Sequence, residues 1–388
     1  DGDPDYYPYQ TLYGLGYKNG SEAGAYFTVI ANPSLKWETQ ISTDIALEFG
    51  LFDCLTGTIE YFKKDSKDLL FDVSQPASVG VTSIIQNIGK VTNSGVEIEL
   101  DYNAFKNKDW SVSVGANATF VKNKIKNLPA TMKENGYISG SKKWLEGKSI
   151  YEFWLRQWHG VDPQTGDGLY VADVSKYNQG NIGTGDGNIT QSQFDEYKKT
   201  VVTIDGKELT NSYTYAKYDF SGSSIPDVFG GFNVRVSYKN FDLAAVFSYQ
   251  LGGQVLDTNY ATMMSMTEFG YAQSPDLLKA WKQAGDITEV PRIDNSAAHT
   301  TNIGQSYSTR WLTSSDYLNL RSVTIGYQFP KAWLSKVMLK SARLNLTAEN
   351  LFMLKARQGL NPMANYSGVT YNEYMPSRNI TLGLNVSF

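Results

Sequence analysis

The 388-residue sequence has no long apolar run, a single cysteine and only two histidines. No stretch reaches the ~18–20 uncharged apolar residues that a membrane-spanning helix needs. That excludes a helical membrane protein and nothing more, because a transmembrane barrel crosses with alternating strands of about ten residues. Cys54 alone excludes an internal disulfide framework and a multi-cysteine metal site, which leaves it a packing role. His159 and His299 lie far apart without cysteine partners, so they offer no zinc site. The net charge of -4 lacks the basic excess of a nucleic-acid binder, and a hydrophobic content of 41% is too high for disorder. The opening "DGDPDYYPYQ" has no Met, basic n-region or apolar h-region, so a signal sequence, if one exists, is removed or lies outside this segment. A G-x-S-x-G elbow, a P-loop, an HExxH motif and a Ser/His/Asp ordering are all missing.

Aromatic residues, by contrast, make up 13% of the chain, with 26 Tyr, and there are 34 Gly. That mixture favours strands and turns. Period-2 alternation is the main pattern. In "SRNITLGLNVSF" every even position from Ile380 to Phe388 is apolar, and every odd position is polar or small. "SGVEIELDYNA" sets Val96, Ile98, Leu100 and Tyr102 against Glu97, Glu99 and Asp101. "WSVSVGANATF", "GFNVRVSY" and "ARLNLTAEN" alternate likewise, with Arg235, Arg343 and Glu349 in polar phase. About nine strands are predicted, over 36–49, 57–64, 91–103, 109–123, 228–238, 241–250, 316–328, 342–352 and 378–388.

The connections alternate in length. "GLFDCLT", "AFKNKD", "KN" at 239–240 and "PKAWLSKVMLKS" are short; 65–90, 124–227, 251–315 and 353–377 are long. Compact soluble domains rarely carry such loops, and the turns of a β-sandwich recur every ~8–12 residues. Short turns at one end and long loops at the other are the pattern of an outer-membrane barrel. Trp37, Tyr102, Trp110, Tyr238, Phe241, Phe329 and Trp333 fall near strand ends, where aromatic girdles meet the membrane boundary. In "DYLNLRSVTIGYQF" the apolar phase slips between Leu320 and Val323. Either a β-bulge near Arg321 or Ser322, or a strand rising above the membrane, would produce that slip. A lipid-spanning sheet must close and bacterial barrels have even strand numbers, so about nine strands imply others elsewhere.

The phrases "NPSLKWE", "YFKKDSKDLLF", "NIGKVTNSGVEIEL", "GVDPQTGDGLY", "PDVFGGFNVRVSYKNFDL", "YLNLRSVTIGYQFP", "LNLTAENLFML" and "PSRNITLGLNVSF" run collinearly through the chain. Together they resemble the SusC/RagA family of TonB-dependent outer-membrane transporters of Bacteroidetes. The resemblance implies an all-β fold. This chain would be the C-terminal part, strands 14–22, of a 22-strand antiparallel transmembrane barrel, with 124–227 as a long extracellular loop region. The plug and TonB box of the family are not recognisable here. A family member would pair with a SusD-like surface lipoprotein. It would import oligosaccharides or oligopeptides, driven by TonB through its N-terminal part, and would need no cofactor, metal or enzyme activity.

Candidate sites follow from the phase and the loops. The apolar residues would face lipid, and Glu97, Glu99, Asp101, Arg235, Arg343 and Glu349 the lumen, as contacts for substrate or plug or as a solvated, salt-bridged wall. Trp154, Trp158 and Tyr170 in the longest loop region, and Tyr366, Tyr371 and Tyr374 in the last, would stack on a sugar or peptide or pack the loops themselves. "GTGDGNITQSQ" has Asp186 before Gly187. In EF-hand register, however, Ile182 and Gln193 fall where positions 1 and 12 need oxygen ligands ending in a bidentate Glu, so it reads as a turn. A secreted β-rich carbohydrate-binding or adhesion module and an outer-membrane barrel enzyme are the competing readings; a chain that stays soluble without detergent would sink the barrel. The terminal Phe388 resembles the signal read by the barrel-assembly machinery. Phe388→Asp is therefore expected to lower the amount of receptor in the outer-membrane fraction, and normal assembly of that variant would count against this role.

Overall fold

The computed structural model describes residues 9–87, 89–129, 132–185, 187–266, 270 and 272–388. Nine long strands run in chain order: β1 Thr39–Leu51, β2 Leu55–Lys67, β3 Lys90–Lys106, β4 Trp110–Asn127, β5 Val228–Tyr238, β6 Phe241–Leu251, β7 Tyr317–Gln328, β8 Ser341–Glu349 and β9 Asn379–Ser387. Each pairs antiparallel with its neighbours in sequence, forming one continuous wall, and the short strand Met353–Lys355 adds to β7. All nine expected strands are present, with ends displaced by a few residues. Their length follows from a pattern of branched and aromatic residues in one phase, which fits a pleated surface with one apolar side. The turn after β1 places Phe52 and Asp53 both at positive φ, 56° and 53°. That type I′ geometry matches the strand twist.

Cross-strand pairing fixes which residues share a face. Val114 lies opposite Val234 and Tyr102, and Ala116 opposite Phe232 and Leu100. Ile325 lies opposite Leu243 and Leu346, and Leu346 in turn opposite Leu382. The resulting apolar face is uncovered: Ile380 is 72% exposed, Leu382 69% and Leu384 62%. A continuous apolar surface of this size needs a non-aqueous neighbour. At the short-turn end it is closed by an aromatic belt, with Trp110 on Tyr238 at 4.3 Å, Phe241 on Tyr327 at 4.6 Å and Tyr327 on Phe329 at 5.1 Å.

The phase slip in β7 is a bulge. Val246 pairs with Ser322 and Phe247 with Leu320, leaving Arg321 as the extra residue. The insertion turns Leu318 and Leu320 to the same face as Val323, Ile325 and Tyr327, so the sequence irregularity preserves an unbroken apolar surface.

The buried core lies elsewhere. The connections between strands, expected only as loops, fold into a cap with short strands such as Glu152–Arg156 and Gly168–Val171 and a helix Gln191–Thr200. That helix begins with a reciprocal capping box between Thr190 and Gln193. Phe153 and Leu155 from the first large loop pack with Leu256, Met264, Leu277, Ile303 and Trp311 from the second and Val369 from the third. The second and third loops are joined by Leu256 N–H to Gly368 O at 2.7 Å and Thr370 N–H to Leu256 O at 3.1 Å. Beside them the buried Asp257 carboxylate accepts from Arg357 at 3.1 Å. A hairpin of Leu12–Asn19 and Glu22–Val29 precedes the wall; its glycine-broken alternation had given no strand signal.

Inside the cap, Lys142 is buried with its ammonium 2.9 Å from Tyr151 O and 3.2 Å from the centre of the Phe153 ring. Burial pulls its pKa from 10.5 down to about 7, opposed weakly by Glu152.

This architecture makes two testable predictions. Leu382→Arg, near mid-height on the apolar face, is expected to cost about 2–4 kcal/mol in denaturant titrations in lipid vesicles, and Thr381→Arg on the polar face much less; equal costs would remove the face assignment and a larger cost for Thr381→Arg would reverse it. Because the folded Lys142 releases its proton near pH 7 and the unfolded chain holds it to 10.5, stability of the cap should rise with pH across that window. Lys142→Met should be more resistant to loop proteolysis at pH 7 and flat from pH 7 to 10.

Candidate functional site

The polar face of the wall runs up under the cap, and a cavity of about 490 Å³ lies where the two meet. Asn93 of β3, Val121 of β4, Phe229 of β5, Gln250 of β6 and Tyr317 of β7 line it from the wall. The register puts these five on the polar face, with Gln250 opposite Phe229 and Tyr317. Tyr151, Gln254, Met363, Asn365 and Tyr366 line it from the loops.

Hydrogen bonds set this lining. Asn123 donates to the Asn93 side chain at 2.7 Å and accepts from Ser149 Oγ and Ile150 N, which clamps the first large loop to the wall. Gln250 donates to Ser315 Oγ at 2.8 Å, fixing the second loop. Ser224 Oγ donates to Tyr366 O at 2.9 Å, holding the third loop while leaving the Tyr366 ring 83% exposed. The outcome is a mainly apolar concavity in which amides stand among aromatic rings. Its volume falls within the range of small-ligand pockets, and its chemistry suits a polar oligomer with apolar patches.

The residues singled out from sequence divide into three groups. Tyr170 is fully buried in the cap, with its hydroxyl donating to Asn302 O at 2.7 Å and burial pushing its pKa up to about 12. It presents no surface to a ligand. Trp158 packs edge-on to Tyr170 at 5.1 Å, with the Arg310 guanidinium 4.7 Å above it. Trp154 lies between Tyr218 and Phe220, with Lys143 4.1 Å over its ring. These three sit within the cap. Tyr366, Tyr371 and Tyr374 are exposed, and of these only Tyr366 lines the cavity.

Glu97, Glu99, Asp101, Arg235, Arg343 and Glu349 all lie on the polar face, below the cavity lining. Glu97 stands between Glu60 and Thr119, Glu99 between Thr58 and Asn117, and Asp101 opposite Gly115. Arg235 faces Ser113 and Ala244. Arg343 is paired with Asp242 at 2.7 Å, and Glu349 accepts from Asn379 at 3.3 Å. Phe388 is exposed at the short-turn end. His159 is exposed, and His299 is buried in the cap with Nε2 2.9 Å from Arg292 O. Asp186 lies outside the described residues. Among the described residues no group of three or more His, Cys, Asp or Glu is placed to hold a metal ion. Sequence reasoning missed Asn93, Phe229, Gln250 and Tyr317; the available signal was the polar phase continuing past the apolar band.

Residues 3–188 match the family described as TonB dependent receptor-like, beta-barrel. A TonB-dependent receptor of Formosa agariphila is 28% identical over 411 residues, covering 100% of this chain and 38% of its own length. The TonB-dependent receptor SusC of Bacteroides thetaiotaomicron is 24% identical, covering 92% of this chain and 32% of its own length. The chain thus spans about a third of the length of these relatives. In three dimensions it is similar to a structure of the RagAB peptide transporter, with a TM-score of 0.76 at 24% identity over 98% of this chain and 39% of that one. Strand order and three-dimensional likeness agree with that match, and along its length the chain is similar to TonB-dependent receptor-like β-barrels.

Proposed function

We propose that the chain supplies part of the wall and of the extracellular cap of an outer-membrane, TonB-dependent nutrient importer, taking up oligosaccharides or oligopeptides together with a SusD-like lipoprotein. The observation that carries this reading is the cavity between polar wall and loop cap, whose lining combines Asn93, Gln250 and Asn365 with Tyr151, Phe229, Tyr317 and Tyr366. A wall with one apolar and one polar face supports it, because that division separates lipid from an aqueous passage. Among the similar proteins, RagAB is described as a peptide transporter, which favours peptides without removing sugars.

On this reading the short-turn end faces the periplasm, and the cap, including residues 124–227, faces outward beneath the lipoprotein. Substrate lies in the cavity against Tyr366, with Tyr371 and Tyr374 at its outer margin and Trp154, Trp158 and Tyr170 supporting the cap behind it. The acidic and basic residues from Glu97 to Glu349 line the passage below, facing the plug or the substrate in transit. Work is done by binding and gated passage. TonB acts through parts of the receptor outside these residues, and the barrel-assembly machinery inserts the wall.

The test uses the full-length receptor co-produced with its lipoprotein, offered fluorescent oligopeptides and fluorescent oligosaccharides in parallel. Tyr366→Ala is expected to lower uptake of one class about tenfold, as loss of an aromatic contact would. Unchanged uptake of every probe by Tyr366→Ala would remove the cavity from the substrate path.

A further inference from the structure

The apolar face of the wall does not end in neutral residues at its cap end. Beyond Phe120 the same phase of β4 continues as Lys122, Lys124 and Lys126, all exposed, while the alternating Asn123 and Ile125 are buried beneath the cap. The neighbouring strands repeat the change. On β2 Lys63 follows Tyr61 in apolar phase and pairs with Ser94, which in turn pairs with Lys122. On β3 Lys90 is in the same phase as Thr92, the partner of Lys124. One acid, Asp65, lies among them, 3.0 Å from Lys90 Nζ, 3.7 Å from Lys63 Nζ, and accepting from Thr92 at 2.6 Å. Lys122, Lys124 and Lys126 have no ion-pair partner among the described residues.

Height gives this row its meaning. From Trp110 to Phe120 the apolar phase rises about 34 Å along the strand. With the usual tilt of about 40° that is roughly 26 Å, the height of the apolar band of a transmembrane barrel. Lys122 is therefore the first residue above the hydrocarbon, on the side that faces lipid rather than the lumen. At this height on β2, β3 and β4, Lys63, Lys67, Lys90, Lys122, Lys124 and Lys126 keep that phase and Lys64 alone takes the other, a bias that a merely solvated surface does not need.

We propose that Lys122, Lys124 and Lys126, extended by Lys63 and Lys90, form a binding row for the phosphate-bearing headgroups of glycolipid in the outer leaflet. This rests on the outer-membrane reading given above. Acyl chains of that lipid lie on Tyr61, Val96 and Phe120 immediately below, continuous with the lipid-facing surface. Ammonium groups on flexible stems suit a phosphate whose position varies within a fluid layer, since they act as point charges and need no fixed bidentate geometry.

The experiment uses the full-length receptor with its lipoprotein, purified in detergent, and lipopolysaccharide as the probe, intact or dephosphorylated. A basic residue near an anionic lipid surface contributes about fivefold in affinity, so K122Q/K124Q/K126Q should bind intact lipopolysaccharide on the order of a hundredfold more weakly. The corresponding triple Lys→Arg variant should bind as the parent does. Dephosphorylated lipid should bind the parent as weakly as intact lipid binds the Gln variant. The proposal is overturned by equal affinity of parent and Gln variant, or by equal binding of the two lipids. It is also overturned by release of the lipoprotein from the Gln variant with lipid affinity intact, which would give the row to that protein. A parent receptor that needs no detergent would instead overturn the outer-membrane reading on which the proposal rests.

Discussion

A peptide group surrounded by hydrocarbon has no water to bond, so every N–H and C=O of a membrane wall must find its partner on an adjacent strand. That requirement sets the antiparallel ladder from β1 to β9, and most of the other features of the chain are answers to it. A ladder needs strands long enough to cross, hence the sustained alternation. It leaves two faces with different surroundings, hence apolar residues in one phase and carboxylates, guanidiniums and amides in the other. The ladder also makes local irregularity costly. The extra residue at Arg321 is accommodated as a bulge that returns Leu318 and Leu320 to the apolar face.

The wall holds little of the protein's buried apolar volume, and the cap holds most of it. Phe153, Leu155, Leu169, Tyr170, Leu209 and Leu256 are among the largest fully buried side chains, and all lie in the connections. Two kinds of stabilisation therefore operate in one chain: strand pairing against lipid below, and ordinary core packing in water above. Asn123 links them, since it sits at the top of β4 and holds both Asn93 of the wall and residues 149–150 of the cap. The cavity forms at that junction because the wall's polar face cannot be filled by its own side chains and the cap's core does not extend down to it.

The wall was legible in the sequence almost to the residue, because a strand facing lipid has no choice of phase and betrays itself over ten or more positions. The slip at Arg321 was legible for the same reason. The cap was not. Its contacts join residues more than a hundred positions apart, such as Tyr170 with Asn302 and Leu256 with Gly368. Its strands of three to six residues are too short to show a period. Aromatic content alone cannot separate a ring that packs from one that binds, which is why Tyr170 and Tyr366 looked alike and differ completely in exposure. Asn93, Gln250 and Tyr317 escaped notice because each is an unremarkable polar-phase position until a loop closes over it.

The shared core of the cap constrains how such a chain can vary. Leu256 lies beside Val369 and against Phe153, so three loops far apart in sequence present one another with a single packed surface. Replacing any one of them by a loop from another receptor would leave the remaining two facing a mismatched interior. Recombination that respects this geometry must exchange all three together, leaving the nine strands beneath as an unchanged socket. In such an exchange the cap would move as one cassette, its lower surface and its core travelling together.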